Sequence, residues 1–243
     1  MHENFFDKDV APGYDANSAD MFDPAILGPT VDFLAERAGD GPALELAIGT
    51  GRVGLPLSQR GTPVHGIELS EAMVEQLRRK ADSDKITVTI GDMATTRAPG
   101  SFKLVYLVYN TITNLLTQDE QVECFRNAAA HLEPGGCFVI EVFVPELQRL
   151  PPGETARPFH VGEHQLGFDT FDLVNQRLVS HHYRVDGERL VYSHSPHRYV
   201  WPAELDLMAK LAGMRLRERW DGWSGSPFTA ESRTHVSVWE KPA

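Results

Sequence analysis

The chain predicts an α/β protein with a mostly parallel sheet. Three observations carry this. Short apolar strand-like runs alternate with amphipathic helix-like segments over the first 145 residues. A glycine-rich turn, Gly49-Thr50-Gly51-Arg52-Val53-Gly54, follows directly on the apolar run that starts at Ala43. After Pro145 the alternation of strand and helix stops, and β-rich sequence takes over until about residue 200.

Each element has its own local signal. A first helix is expected over 24–37, with Ile26, Val31 and Leu34 on one face. Strand one is expected over 43–48, followed by a helix that Pro56 should kink. Strand two spans 64–68. Ser70 then caps a helix running to 80, with Met73, Val74 and Leu77 at helical spacing. Strands three and four are expected over 86–90 and 104–109. A helix over 118–132 is closed by Pro134-Gly135-Gly136, and strand five follows over 137–144. Leu150-Pro151-Pro152-Gly153 marks a loop. Runs 178–185 and 190–194 flank Asp186-Gly187 as a hairpin, and 198–201 adds a further strand. Residues 202–212 return to helix, with Pro202 in its first turn, and 214–220 and 234–240 are the last strands. Internal repeats and low-complexity tracts are absent from the sequence. It therefore reads as one domain over 1–243, with an N-terminal helical lid over 1–40 and an antiparallel β insertion over 145–200. The insertion would form a substrate cap or a homodimer contact.

Composition excludes several classes. The 243 residues are 42% hydrophobic and 23% charged, an ordinary globular balance. No run reaches the ~18 apolar residues a membrane span requires, and the start lacks the basic and apolar regions of a secretory leader. Two cysteines, Cys124 and Cys137, fall on an expected helix and an expected strand. They form no disulfide framework, so a cytoplasmic location is expected. The net charge of −11 argues against a nucleic-acid partner, which would need clustered cations. The tight basic run Arg78-Arg79-Lys80 ends a helix, where cations suit the dipole.

Carboxylates recur at successive strand ends. Gly49 to Gly54 matches G-x-G-x-x-G, a pattern shared with dinucleotide enzymes. Glu45, four residues earlier, would repel a diphosphate but suits a ligand carrying positive charge beside a nucleoside. Glu68 ends strand two, where a carboxylate accepts from both ribose hydroxyls. Gly91-Asp92-Met93 follows strand three. Asp92 there can accept from an adenine amino group or form a simple Asx turn, with Met93 or Leu69 packed on the ring.

On the runs L-E-L-A-I-G-T-G-R, G-I-E-L-S-E-A-M, G-D-M and L-E-P-G-G-C-F-V-I-E, the chain resembles the class I S-adenosylmethionine (SAM)-dependent methyltransferases, of the small-molecule type. The resemblance covers 43–144, and the final helix and strands fit its closing elements. It implies a Rossmann-like seven-stranded sheet of order 3-2-1-4-5-7-6, SAM as cofactor and a small-molecule acceptor bound through N or O. It also implies cofactor contacts from Tyr14, Glu45, Ala47, Gly49, Gly51, Glu68, Leu69, Asp92, Met93 and Asn110. Ala47 departs from the family, which usually has glycine there. The alternatives are a non-catalytic SAM-binding protein and, on the literal glycine pattern, an NAD(P) oxidoreductase.

The acceptor side is less specified. Tyr109 to Asn114 follows strand four and lacks the N-P-P-Y arrangement of amide and adenine N-methyltransferases; Asn114 can orient an acceptor or cap a turn. The insertion holds six histidines, of which His181 or His182 is a candidate base, since adjacent strand residues face opposite ways. Glu141 lies in strand five between apolar neighbours and needs either a partner or a catalytic role. Phe5 and Phe6 are candidate lid residues, and Arg198 is expected to pair with one of the chain's acids. No ligand spacing points to a metal.

Overall fold

The computed structural model describes Phe6, Lys8 and residues 10–243; the candidate Phe5 lies outside the described residues. The first described α-helices are a short α1 (Tyr14–Asn17) and α2 (Pro24–Ala38), which Asp23 caps by accepting from Ala25 N. Then follow β1 (Ala43–Leu46), α3 (Gly54–Gln59), β2 (Val64–Glu68), α4 (Glu71–Arg78), β3 (Thr87–Ile90), β4 (Phe102–Leu107), α5 (Gln118–His131) and β5 (Leu132–Phe143). The insertion holds β6 (Ala156–Val161), β7 (Gln165–Asp172), β8 (Arg177–Asp186) and β9 (Arg189–Arg198). The chain closes with α6 (Pro202–Leu211), β10 (Arg215–Asp221), a two-residue β11 (Ser226–Pro227) and β12 (Thr234–Glu240).

The main sheet has the order β11-β10-β12-β5-β4-β1-β2-β3. Strands β3, β2, β1, β4 and β5 are parallel, and β12 runs antiparallel to both β5 and β10. This is the implied 3-2-1-4-5-7-6 arrangement with β11 added at one edge. Strands β6 to β9 form a separate antiparallel meander.

Period-two alternation sorts the core into two layers. Leu44, Leu46, Val105 and Leu107 face one cluster with Phe125, Met208 and Trp239. Ala43, Leu104 and Tyr106 face the other, with Val31, Leu34, Leu57 and Leu77. Ser70 caps α4 by accepting from Met73 N at 3.3 Å, and Thr117 and Glu120 form a capping box on α5.

Several expectations are corrected. Pro56 is the third residue of α3, where its missing N–H has no intrahelical partner to lose, so no kink is required. Ile26 is exposed rather than packed with Val31 and Leu34. Strand β5 begins at Leu132 and runs through Pro134-Gly135-Gly136 instead of starting after it; Phe102 pairs with Leu132 and Leu104 with Cys137, with a register shift between them. Strand β4 stops at Leu107 because Tyr109 and Asn110 both adopt left-handed backbone, φ 57° and 60°. No strand forms over 199–201; β9 already ends at Arg198, paired with Arg177. Among the described residues no helix is long and apolar enough to cross a membrane.

Candidate active site

Two adjoining cavities open at the carboxyl edge of the main sheet, where open α/β folds bind ligands. The first is lined by Tyr14, Ala47, Gly49, Glu68, Leu69, Met73, Asp92 and Met93, among others. Its floor is the turn after β1. Gly49 and Gly51 have φ of 58° and 79°, a conformation that suits glycine. Ala47 is also left-handed, at φ 55°, so its methyl group sits at a strained position in the cavity wall. The Glu68 carboxylate accepts from Gly49 N at 2.7 Å and Ser70 N at 2.9 Å. Burial raises its pKa, against these two bonds. Asp92 accepts from Ala94 N at 2.7 Å, an Asx turn that leaves the residue on the cavity wall.

The arrangement can hold a nucleoside. Carboxylates of Glu68 and Asp92 stand at neighbouring strand ends, and Leu69, Met73, Met93 and Leu115 supply apolar surface between them. The N-terminal segment closes one side. Asp15 accepts from Thr50 Oγ1 at 2.6 Å and pairs with Lys80 Nζ at 2.5 Å, and Ser70 Oγ donates to the carbonyl of Phe6. Tyr14 packs edge-on to Phe6, and burial raises the pKa of its hydroxyl.

Glu45 and Gly51 do not line this cavity. Alternation turns Glu45 away from Leu44 and Leu46, and its parallel neighbour in register is Tyr106. Tyr106 donates its hydroxyl to Glu45 Oε2 at 2.9 Å, and the backbone of Gly54 at the start of α3 bonds the same carboxylate. Full burial pushes the Glu45 pKa up to about 8. A protein carboxyl therefore occupies the positive end of α3, the place where a diphosphate would sit. Gly51 matters for space: a Cβ there would fall 2.4 Å from Leu77 of α4.

Glu141 likewise answers to structure. Its Oε2 accepts from Tyr109 N at 2.9 Å and its Oε1 from Trp223 Nε1 at 2.8 Å. These two donors are the partners that a mid-strand acid requires, and the carboxylate in turn holds the left-handed Tyr109-Asn110 pair in place. Asn110 lines the second cavity, not the first, and its Oδ1 accepts from Phe143 N at 2.7 Å. The strained pair aims the following turn, Thr111 to Asn114, at the junction of the two cavities.

The second cavity, about 620 Å³, is of small-molecule size. It shares Phe6, Tyr14, Thr111 and Asn114 with the first. Its far wall is the inner face of the meander: Arg157, Asp169, Phe171, Leu178, Ser180 and His197. Ser180 Oγ donates to Asp169 Oδ1 at 2.6 Å, and desolvation raises the Asp169 pKa. His197 Nδ1 lies 3.3 Å from Thr113 Oγ1 and Nε2 lies 3.0 Å from Ser195 Oγ. Thr113 spends its own hydrogen on the Asn110 carbonyl, so His197 must carry its proton on Nδ1. Burial lowers its pKa to about 4, which keeps the ring neutral.

The two histidines singled out from sequence are elsewhere. His181 is on the outer face, stacked on Phe168 at 4.8 Å and bonded to Thr170 and the Tyr192 hydroxyl. His182 shares the face of Ser180 but sits against Phe159, and neither lines a cavity. Asp169, Ser180 and His197 were missed as site residues. Their signal was the shared parity of Leu178 and Ser180, and the pairing of Leu178 with His197 across the hairpin. Arg198 pairs with Glu204 at 2.7 Å, as expected. Among the described residues there is no group of three or more acids, histidines or cysteines that could hold a metal ion.

Residues 43–136 match a family described as a methyltransferase domain. The CcbJ methyltransferase from Streptomyces caelestis is 35% identical, with a TM-score of 0.82 over 93% of this chain and 96% of that one. The cypemycin N-terminal methyltransferase of a Streptomyces species is 26% identical over 94% of this chain and 97% of its own length. SAM-bound CalS10, an amino pentose methyltransferase from Micromonospora echinaspora, shares the fold at TM-score 0.71 and 22% identity, over 99% of this chain and 100% of that one. The chain belongs to the class I SAM-dependent methyltransferases. It is an enzyme of that class, and its cofactor is SAM.

Proposed function

We propose that this enzyme methylates an amine nitrogen of a small molecule bound in the second cavity. The observation that carries the reading is Asp169, a half-buried carboxylate on the wall of a cavity that meets the cofactor cleft at Tyr14, Thr111 and Asn114. A carboxylate so placed attracts an ammonium group and takes its proton, freeing the nitrogen lone pair. Two relatives agree in kind: one is named for an N-terminus and one for an amino sugar.

In this reading Glu68 accepts from the ribose hydroxyls, Asp92 faces the adenine, and Leu69 and Met93 pack on the ring. Ala47 and Gly49 line the methionine end, and Tyr14 closes over it. Bound SAM supplies an electrophilic methyl group on a sulfonium. The chain's own work is placement and exclusion of water. Asn114 orients the acceptor at the junction. His197 is a positioning residue that fixes the Thr113 turn. Asp169 holds the amine and accepts the proton shed before transfer. Glu45 and Glu141 act from below, by holding α3 and the Tyr109 turn.

The N-terminal segment up to residue 40 serves as the lid and the meander as the acceptor cap. A homodimer through the outer face of the meander, no nucleic-acid partner and a cytoplasmic location complete the proposal. The last of these rests on free, buried Cys124 and Cys137.

The test is calorimetric titration with SAM, S-adenosylhomocysteine and NADH, followed by a panel of amines and alcohols scored by release of S-adenosylhomocysteine. Micromolar binding of the first two ligands and turnover with amines are expected. Asp169→Asn should then lower kcat/KM for the amine at least tenfold and leave SAM affinity within twofold. Turnover with alcohols alone would refute the amine assignment.

A further inference from the structure

Three guanidinium groups converge on one carboxylate at the rim of the second cavity. Glu146 is 3.2 Å from Arg149 Nη1 and 3.6 Å from Arg233 Nε, and it pairs with Arg157. These contacts hold the Glu146 pKa below the usual carboxylate range. Glu146 and the cross-strand Asp169 offset two of the three, so about one positive charge is left over locally, in a chain whose net charge is −11. Arg157 and Arg233 line the cavity itself, with side chains 31% and 65% exposed. Each guanidinium carries five donors, and among the described residues Glu146 is the sole side chain within ion-pair distance of both. Asp169 faces Arg157 across the β6–β7 register and interacts with it electrostatically, while it accepts its hydrogen bond from Ser180.

We propose that Arg157 and Arg233 form an anion subsite that holds a carboxylate or phosphate group carried by the methyl acceptor. The inference rests on the amine reading for the position of the acceptor's other end. Two guanidinium forks facing a cavity suit planar, bidentate oxyanion recognition. Geometry also sets a length. Asp169 on β7, which holds the amine in that reading, is the register partner of Arg157 on β6, one strand spacing or roughly 5 Å away. The acceptor thus carries its amine at Asp169 and its anion only a few bonds away at Arg157 and Arg233, and Glu146 is the internal carboxylate that the anion displaces or joins.

The test uses the full chain saturated with SAM and three amine series of graded chain length: ω-amino carboxylates, ω-aminoalkyl phosphates and the matching neutral amides. Release of S-adenosylhomocysteine should favour an anionic series over the amides by tenfold or more in kcat/KM, with a preference for the shorter members. The better anionic series identifies the group. In Arg157→Gln/Arg233→Gln the anionic-to-amide ratio should fall to about one, a ratio unaffected by general loss of folded protein. Glu146→Gln should raise that ratio. Separately, inorganic phosphate or acetate should raise the melting temperature of the wild type and not of the double variant. Equal turnover of amides and anions by the wild type, or equal melting shifts in both proteins, would overturn the subsite. Absence of turnover with every amine, with anion protection intact, would instead overturn the amine reading and leave the subsite standing.

Discussion

The two cavities are built by different means. The first cavity, the proposed cofactor cleft, is made of strand ends and the turns that follow them, so its geometry comes from the backbone of one parallel sheet. Gly49, Glu68 and Asp92 each stand within a few residues of a strand terminus. The second cavity, the proposed acceptor site, is made of side chains on the inner face of a separate meander, closed against the turn after β4. One half is specified by local sequence and the other by how distant strands pair. A backbone-built cleft serves one cofactor, while a side-chain wall can change its acceptor by substitution.

The largest expected effect tests the cofactor half. In the proposed reading, Glu68→Ala removes the acceptor for both ribose hydroxyls, and it also frees Gly49 N and Ser70 N. Charge-assisted bonds are each worth ~1.5–3 kcal/mol, so SAM affinity should fall about 100-fold. Acceptor KM, measured at saturating SAM, should stay within twofold. If both constants move together, the cavities are not separable and the comparison fails.

The same division explains what could be read from the chain. The alternation of strands and helices and most helix bounds follow from periodicity and turn chemistry, because each signal lies within about ten residues of what it determines, whereas the sheet order came with the family resemblance; of the residues the resemblance implied, Tyr14, Ala47, Gly49, Glu68, Leu69, Asp92 and Met93 line the first cavity. Glu45 shows where that reading stopped. The same alternation that places Leu44 and Leu46 in one core layer turns Glu45 into the other, onto Tyr106 and Gly54. Its spacing before Gly49 suggested a ligand contact, whereas parity argued for a partner in the fold. Glu141 repeats the point, with both oxygens taken by Tyr109 N and Trp223. His181 and His182 failed for a longer-range reason. Which face of β8 meets the core depends on β7 pairing and on the Tyr109 turn, and neither leaves a mark near residue 181.

A middle-sized effect separates fold from site on the cofactor side. Glu45 has a reference pKa of 4.5 and is pushed up to about 8 in the folded chain. Between these values the folded state holds a proton that the unfolded state has lost. Its contribution is therefore fully present below about 4.5 and falls as pH rises toward 8. The slope for one such group is at most ~1.4 kcal/mol per pH unit. Urea unfolding at pH 5.5, 6.5 and 7.5 should show a loss of stability with pH that is flattened in Glu45→Gln. SAM affinity should change little, because the carboxyl lies beneath the cleft. A large loss of affinity in Glu45→Gln, with the stability slope intact, would restore it as a ligand contact.

The smallest effect concerns Ala47, where local structure and cofactor meet. Its φ of 55° costs a non-glycine residue ~1 kcal/mol. Glycine removes that cost but gives back part of it through the larger freedom of the unfolded chain. The balance for Ala47→Gly is a gain of about 0.5 kcal/mol, a melting shift of roughly 1–2 °C for a chain of this size. The Ala47 methyl also packs on the core layer of Leu44 and Leu46, so the sign reports which term wins. A rise would mean that backbone strain dominates at the cleft floor, as expected of a site shaped by its turns. A fall of more than a degree would mean that the methyl's packing outweighs the strain. The cofactor half would then depend on side chains as the acceptor half does, and the contrast between the two cavities would narrow at this residue.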